Sequence, residues 1–457
     1  MTERRAFALL GVLAVAAWAL VPQPPNYDAM YHLVWGRELL GGELPSYEAY
    51  AAPTPHPLYV LVAAVAGLAG ERALVLLTVL CWVAMVWGAF RLGRATVGRG
   101  PAVLGAAFVA SSFALLLYAA RAYVDVPFLA LVLWAAALEA ERPRRGLPVA
   151  GLLLVAGLLR PEAWVLAGLY GLWLRDPRAL ALAAAAPVLW ALSDLAVTGD
   201  PVHSLTSTSA LAEALGRERG LANVPRVFAR EVVDVARPPV ALLGALGGLA
   251  LWRLRAGRSG HVLVALLLAG TLTFVAAGAA GLSLIPRYLT VPVIALMLLA
   301  GFGVLGFRTQ PPGPLRTWWR RGAVAAAVLG VAFVALRADV FGRLAAELRF
   351  VQDVDRALVA IAEDPRVRAA RRCGPITLPT YRLVPDLRWH LGDDAVVGAR
   401  SARRRTTGVA LFAHGEKTLQ RVGFADGTSP LVNVPDPGFV PIARNDRFAA
   451  YASCAGR

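Results

Sequence analysis

Four places along this 457-residue chain put ionisable side chains where apolar sequence is interrupted. The first is Asp28, in Pro-Pro-Asn-Tyr-Asp. A carboxylate there, shielded by Tyr27, Tyr31 and Trp35, is suited to a raised pKa and to general-base work. Equally, residues 30–40 read as a helix, and an acid at its positive end needs no catalytic reason. The second is Arg121 with Asp125 in ARAYVDVPF. Asp125 reads either as a second acid facing the same side as Asp28 or as one half of an i,i+4 ion pair. The third is Arg160-Pro161-Glu162, between two short apolar runs. Arg160 suits a phosphate, or else pairs with Glu162 at a plain hairpin. The fourth is Arg287-Tyr288, which suits an anionic head group or, as simply, an arginine and tyrosine at a membrane interface.

The elements that must position these groups are apolar. The chain is 58% hydrophobic and 17% charged, with a mean hydropathy of +0.58, a balance that calls for many bilayer spans rather than a soluble domain. The net charge of +16 does not point to nucleic acid, because the basic residues punctuate apolar runs instead of gathering on one face. Candidate spans are 6–22, 73–91, 101–119, 126–139, 147–159, 163–174, 179–197, 239–252, 261–281, 288–306 and 322–338, about eleven helices. Residues 58–70 are short for a span and read as a helix on the membrane surface or dipping into it. Ala17-Trp18-Ala19 has the spacing of a signal-peptidase site, but an uncleaved anchor suits a chain that crosses many times.

Arginines then set the orientation. Arg4 and Arg5, Arg91, Arg94 and Arg99, Arg142, Arg144 and Arg145, Arg175 and Arg178, Arg253, Arg255 and Arg258, and Arg308, Arg316, Arg320 and Arg321 all fall on one side. The short connections on the other side carry mainly single arginines: Arg72, Arg121, Arg160 and Arg287. The positive-inside rule makes the first side cytoplasmic. The N-terminus is then cytoplasmic, and loops 23–72 and 193–238 are outside. The second loop has apolar residues at helical spacing, among them Leu211, Leu215, Val224, Val227, Val232 and Val235.

After residue 338 the composition changes. Residues 343–371 read as an amphipathic helix, with strand-like runs at 376–378, 395–397, 408–412, 431–434 and 448–451. The expected architecture is an all-α polytopic membrane domain over 1–338 and a small extracytoplasmic α/β domain over 339–457. Disulfides persist outside the cytoplasm, so Cys373 and Cys454, which flank the strand-rich part, are expected to be bonded.

These pieces, in this order, resemble the GT-C superfamily of membrane glycosyltransferases, in particular its protein mannosyltransferase and aminoarabinose transferase branch. They are NYDAMYHLVWGRELLGG, PHPLYVLVAAVAGLAG, FRLGRATVGRG, RAYVDVPFLALVLW, LLLVAGLLRPEAW and IPRYLTVPVIALMLLAG, spread over about residues 1–306. The resemblance implies a polyprenyl-phosphate sugar as donor, inversion at the anomeric carbon, and chemistry on the outer face of the cytoplasmic membrane. It implies Asp28 as base and Asp125 as a second acid. Arg160, Arg287 and Arg121 would face the donor phosphate, and Tyr31, His56, Glu162 and Tyr288 the substrate. The acceptor would be a hydroxyl on a glycan, lipid or protein. No cofactor is fixed by it, and a divalent metal stays open. The chain departs from the pattern at Asp28-Ala29, where many members have Asp-Glu, and at His56-Pro57, where members often have Lys-Pro-Pro. A transporter or lipid flippase, or a membrane scaffold without activity, remain alternatives.

Overall fold

The computed structural model describes residues 2–254, 260–392, 397–423 and 430–454. The first helices are α1 (Glu3–Leu20), α2 (Tyr27–Leu40), α3 (Pro57–Gly67) and α4 (Glu71–Val97). Next come α5 (Arg99–Ser111), α6 (Phe113–Ala120), α7 (Asp125–Glu141), α8 (Leu147–Gly157), α9 (Glu162–Leu174) and α10 (Pro177–Thr198). The outer segment contributes α11 (His203–Ala214) and α12 (Val224–Ala236). After it stand α13 (Pro238–Arg253), α14 (Gly260–Ala279), α15 (Thr290–Leu305) and α16 (Pro314–Leu336).

Among the described residues five helical rods are long and apolar enough to cross a membrane: α4, α10, α14, α15 with its leading turn, and α16 continued by the next helix. Two bent pairs, α5 with α6 at 56° and α12 with α13 at 105°, raise the number to seven. The chain is therefore a multi-pass membrane protein, although eleven full spans are not what length and composition give. The expected spans at 147–159 and 163–174 are helices of 11 and 13 residues. At about 1.5 Å per residue these fall short of a hydrocarbon layer of about 30 Å. The run 101–119 breaks at Ser112, whose backbone is extended. The expected basic loop at 91–99 is mostly the end of α4, which runs on to Val97 and stops at Gly98, at φ +89. Arg255 and Arg258 lie outside the described residues. The outer segment starts later than expected, because α10 continues through Thr198.

Helix α15 is the hub, with twelve of its residues buried, whereas α16 buries only Ala323 and stands at the rim. Helices α2 and α3 cross closely: a Cβ on Gly36 would lie 2.6 Å from the Ala64 amide nitrogen, so only glycine fits there. This contact brings the start of α3 against the first turns of α2.

The rest of the chain builds a second core. Helix α17 (Val340–Ala362) buries Leu348, Phe350, Val354, Leu358 and Ile361. It is followed by α18 (Pro365–Ala370) and α19 (Val384–Leu391). The single helix expected over 343–371 is two, because Pro365 cannot continue the first and Asp364 caps the second. Strands β1 (Ile376–Leu378), β2 (Val397–Ala399), β3 (Gly408–Ala413), β4 (Val440–Arg444) and β5 (Phe448–Ser453) form one sheet in the order β2-β1-β3-β5-β4. β1 is parallel to β2 and β3, and β5 is antiparallel to β3 and β4. The run 431–434 is not a strand: residues 430–433 form a 3-10 turn, between Pro430 and Pro435. Residues 395 and 396 of the run expected at 395–397 lie outside the described residues. Strand β4, which contains Pro441, was not expected. Cys373 and Cys454 are joined by a disulfide, with Cα atoms 4.7 Å apart.

Candidate active site

Asn26 starts the site. Its side chain caps α2, accepting from the Asp28 and Ala29 amides at 2.8 and 3.2 Å. Its own amide and Nδ2 both donate to the Arg121 carbonyl, at 2.8 and 2.7 Å. Arg121 in turn donates to the carbonyls of Pro24 and Pro25, at 3.3 and 3.1 Å. The i,i+4 ion pair, one of the two readings of Arg121 and Asp125, is therefore not made. Ala122 sits at φ +52, which breaks the helical turn that an i,i+4 pair requires.

Asp28 thus stands in the first turn of a capped helix, and it also faces a cation. Arg287, in the 3-10 turn before α15, donates from Nη1 to Asp28 Oδ2 at 2.8 Å, and the same nitrogen is 3.7 Å from Asp125 Oδ2. Asp125 is fully buried at the start of α7, and its Oδ1 accepts from Arg160 Nη1. Arg160 also donates from Nε to Glu162 Oε1, at 3.0 Å. The order Asp28, Arg287, Asp125, Arg160, Glu162 is a row of alternating charge. Arg160 holds Asp125 and Glu162 at once and lies 5.2 Å from the Tyr288 ring centre, while Arg287 lies 5.4 Å from that of Tyr123. Of the two readings of Arg160-Pro161-Glu162, the internal pair forms, and it is built into the row.

A cavity of about 650 Å³ opens beside this row. Asp28, His56, Arg121, Arg160, Arg287 and Tyr288 line it on the side of the membrane helices. Asp125 and Glu162 stand behind that wall and reach the cavity only through the arginines. Tyr31 does not line it: the residue is completely buried, packed between Tyr27 and Trp35. Arg160 is thus engaged along both guanidinium edges, and Tyr31 packs against Tyr27 off the cavity wall.

Burial works to raise the Asp28 carboxyl, but Arg287 outweighs it, with help from Arg217, and holds the group below its ordinary value. His32, one turn on, sets its Nδ1 2.6 Å from the Asp28 carbonyl, and its Nε2 accepts from the His56 amide at 3.2 Å. These two contacts specify a neutral ring with the proton on Nδ1. Burial pushes His32 down to about 4, and burial with His32 and Arg160 nearby pushes His56 well below its usual range. The two rings stack at 5.3 Å.

The sequence reading missed the cavity's other contributors. Arg217, just after α11, lines it, and its side chain makes no hydrogen bond or ion pair among the described residues. Its position depends on how α11 is clamped: Asp194 near the end of α10 accepts from the Ser204 amide and hydroxyl, each at 2.8 Å. Nothing in the local sequence marks Arg217. The far wall comes from α17 and from the segment before α19, including Asp355, Tyr381, Arg382 and Asp386. No group of three or more His, Cys, Asp or Glu side chains among the described residues is arranged to hold a metal ion. Asp28 and Asp125 already share a guanidinium.

No protein-family model matches the sequence, and no curated protein matches it. Solved structures do. The crystal structure of ArnT from Cupriavidus metallidurans bound to undecaprenyl phosphate is 16% identical, with a TM-score of 0.55, over 100% of this chain and 99% of that one. The apo state of ArnT from the same organism gives 16% identity and a TM-score of 0.55, over 99% and 98%. At this identity the likeness is one of fold, and it extends through the C-terminal sheet. It agrees with the resemblance carried by the ordered motifs.

Proposed function

We propose that the protein is a membrane glycosyltransferase that moves a sugar from a polyprenyl-phosphate donor to an acceptor hydroxyl, with inversion, on the outer face of the cytoplasmic membrane. The observation that carries this reading is Asp28 and Arg287 side by side on one cavity wall. The ArnT fold, seen with undecaprenyl phosphate bound in one of the similar structures, supports a lipid-phosphate donor here. So does a cavity with cations on its membrane-helix side.

The chemistry follows from the charges. The acceptor oxygen attacks the anomeric carbon while Asp28 takes its proton. The bond between the anomeric carbon and the phosphate oxygen breaks, and the polyprenyl phosphate leaves with the electron pair. Arg287 and the unpaired Arg217 face that developing charge. Asp125, held by Arg160, fixes Arg287 from behind. A donor phosphate competes with Asp28 for Arg287. As the guanidinium turns to the phosphate, burial regains control of the Asp28 carboxyl and its basicity rises. Donor binding thereby readies the base.

In this reading residues 1–338 form the membrane domain and 339–457 an extracytoplasmic domain. The N-terminus is in the cytoplasm, as the arginine distribution requires. A set of labelled undecaprenyl-phosphate hexoses and pentoses, offered to membranes with and without the protein, tests it. Protein-dependent loss of label from the lipid is the expected result; none with any donor would refute it.

A further inference from the structure

Arg287 joins two acids that belong to different parts of the chain. Asp28 stands in the first turn of α2 and Asp125 opens α7, yet one Arg287 nitrogen lies 2.8 Å from the first and 3.7 Å from the second. Both distances depend on where the two helix starts sit relative to each other. Side chains without charge take a large part in setting that relation.

Asn26 is the main one, and it is 4% exposed. Its Oδ1 holds the Asp28 and Ala29 amides. Its Nδ2 donates to the Arg121 carbonyl at 2.7 Å, alongside its own backbone amide. One carboxamide thus grips the start of α2 with its oxygen and the turn before α7 with its nitrogen. The Arg121 guanidinium closes the clasp from the other side, on the Pro24 and Pro25 carbonyls.

The gripped turn is one that alanine does not favour. Ala122 sits at φ +52, in the left-handed region, where its Cβ crowds the backbone. The backbone on either side is ordinary. The Arg121 amide donates to the Leu117 carbonyl at 3.1 Å, and the Val126 amide to that of Tyr123 at 3.2 Å. The reversal therefore falls on a single residue, and two successive carbonyls there are held from outside. Asn26 takes that of Arg121, and the Tyr59 hydroxyl donates to that of Ala122 at 2.7 Å. Tyr59 is buried on α3, which is packed against α2 at Gly36. Both holds thus come from one packed pair of helices. A strained residue kept in place by its surroundings, beside a charged centre, points to a geometry that the centre needs.

We propose that Asn26 is a positioning residue for glycosyl transfer: through the strained turn at Ala122 it keeps Asp125 behind Arg287 while capping the helix that presents Asp28. Tyr59 is its second support. Released from these holds, Ala122 relaxes towards ordinary backbone, and Asp125, just beyond it, moves off Arg287. This rests on the glycosyl-transfer reading above and gives neither Asn26 nor Tyr59 a contact with substrate.

The test separates the two ends of the Asn26 amide, in the full-length protein in lipid nanodiscs, with the labelled undecaprenyl-phosphate sugars named above. Serine caps a helix about as well as asparagine, but its short hydroxyl cannot also reach the Arg121 carbonyl. Asn26→Ser should therefore move the thermal unfolding midpoint little and slow transfer about tenfold, the scale of one neutral hydrogen bond. Ala122→Gly is then added. Glycine takes φ +52 freely, so the turn no longer has to be held. Transfer in the double variant should return to the level of Ala122→Gly alone. Tyr59→Phe should show the same loss and the same rescue.

Full transfer in Asn26→Ser would mean that the cap alone matters. A slowdown that matches a fall in the unfolding midpoint, or one that Ala122→Gly does not relieve, overturns the proposal equally. Hydrogen exchange over 119–126 needs no donor, and Asn26→Ser should speed it relative to wild type. If wild type moves no sugar from any donor, the glycosyl-transfer reading falls. Faster exchange in Asn26→Ser then still establishes the hold on the turn, and unchanged exchange removes that too.

Discussion

Arg287 Nη1 lies 2.8 Å from Asp28 Oδ2 and 3.7 Å from Asp125 Oδ2, so one guanidinium serves an acid on the cavity wall and an acid behind it. The pairing lowers the Asp28 pKa against the pull of burial. In Arg287→Gln that restraint is gone and burial dominates. The acid limb of the pH–rate profile should then move to higher pH than in wild type. The sign for stability is the opposite of a histidine's. A depressed carboxyl contributes above its unfolded value, about 3.9, and the contribution is lost as pH falls through the folded value. An unmoved acid limb in the variant's residual activity would contradict the assignment of Asp28 as the titrating base.

Asp125 and Arg160 are both buried, and each is the other's partner. Removing Arg160 leaves Asp125 and Glu162 in the interior without the cation they share, at a typical cost of about 3–5 kcal/mol, whereas removing Asp125 leaves Arg160 paired with Glu162 and Arg287 with Asp28. Arg160→Met should lower the thermal unfolding midpoint far more than Asp125→Ala or Asp28→Asn does. The double variant should cost less than the sum of the singles. Additive losses would show that the two do not act as a pair.

His390 faces Asp355 at 3.7 Å and Glu71 at 4.0 Å, with Asp386 on the same helix. The hydrogen bond to Asp355 raises its pKa, and burial opposes the rise. A raised histidine stabilises below its unfolded value of about 6.5, and the effect is lost as pH climbs through the folded value. Contact between α19 and the start of α4 should therefore loosen above neutral pH. Hydrogen exchange over 384–391, corrected for its intrinsic pH dependence, should show this in wild type and not in His390→Gln.

The Cys373–Cys454 disulfide joins residues 81 apart in sequence. Replacing both by serine frees that loop in the unfolded chain, and a loss of roughly 2–4 kcal/mol is the usual scale. The C-terminal sheet should lose exchange protection first, while α4 and α15 keep theirs. Equal protection with and without the bond would show that β1, β3 and β5 hold the sheet unaided.

Much of this was legible in the residues, and the failures have physical causes. Asp28 and Arg287 stood out because charge at a membrane boundary is costly. Their pairing, across 259 residues, was not readable, because it depends on how α2 packs near the turn before α15. Arg160 with Glu162 could be paired from proximity alone. Arg121 with Asp125 misled, since the spacing was helical and the backbone at Ala122 is not. The far wall was invisible. Asp355 falls within an amphipathic helix pattern and Asp386 in an ordinary Val-Pro-Asp start, and only the tertiary packing of α17 and α19 brings them to the cavity that Asp28 lines. The lone Pro441 hid β4 because a proline within a run argues against a strand.

The most direct measurement is single-turnover release of labelled sugar from undecaprenyl phosphate to acceptor, in membranes carrying wild type or Asp28→Asn at equal abundance. The amide keeps the shape and the helix start but cannot take the proton. Transfer should fall by about 10²–10⁴, the usual scale for a general base, with undecaprenyl phosphate still bound. Transfer at the wild-type rate in Asp28→Asn would contradict the account at its centre.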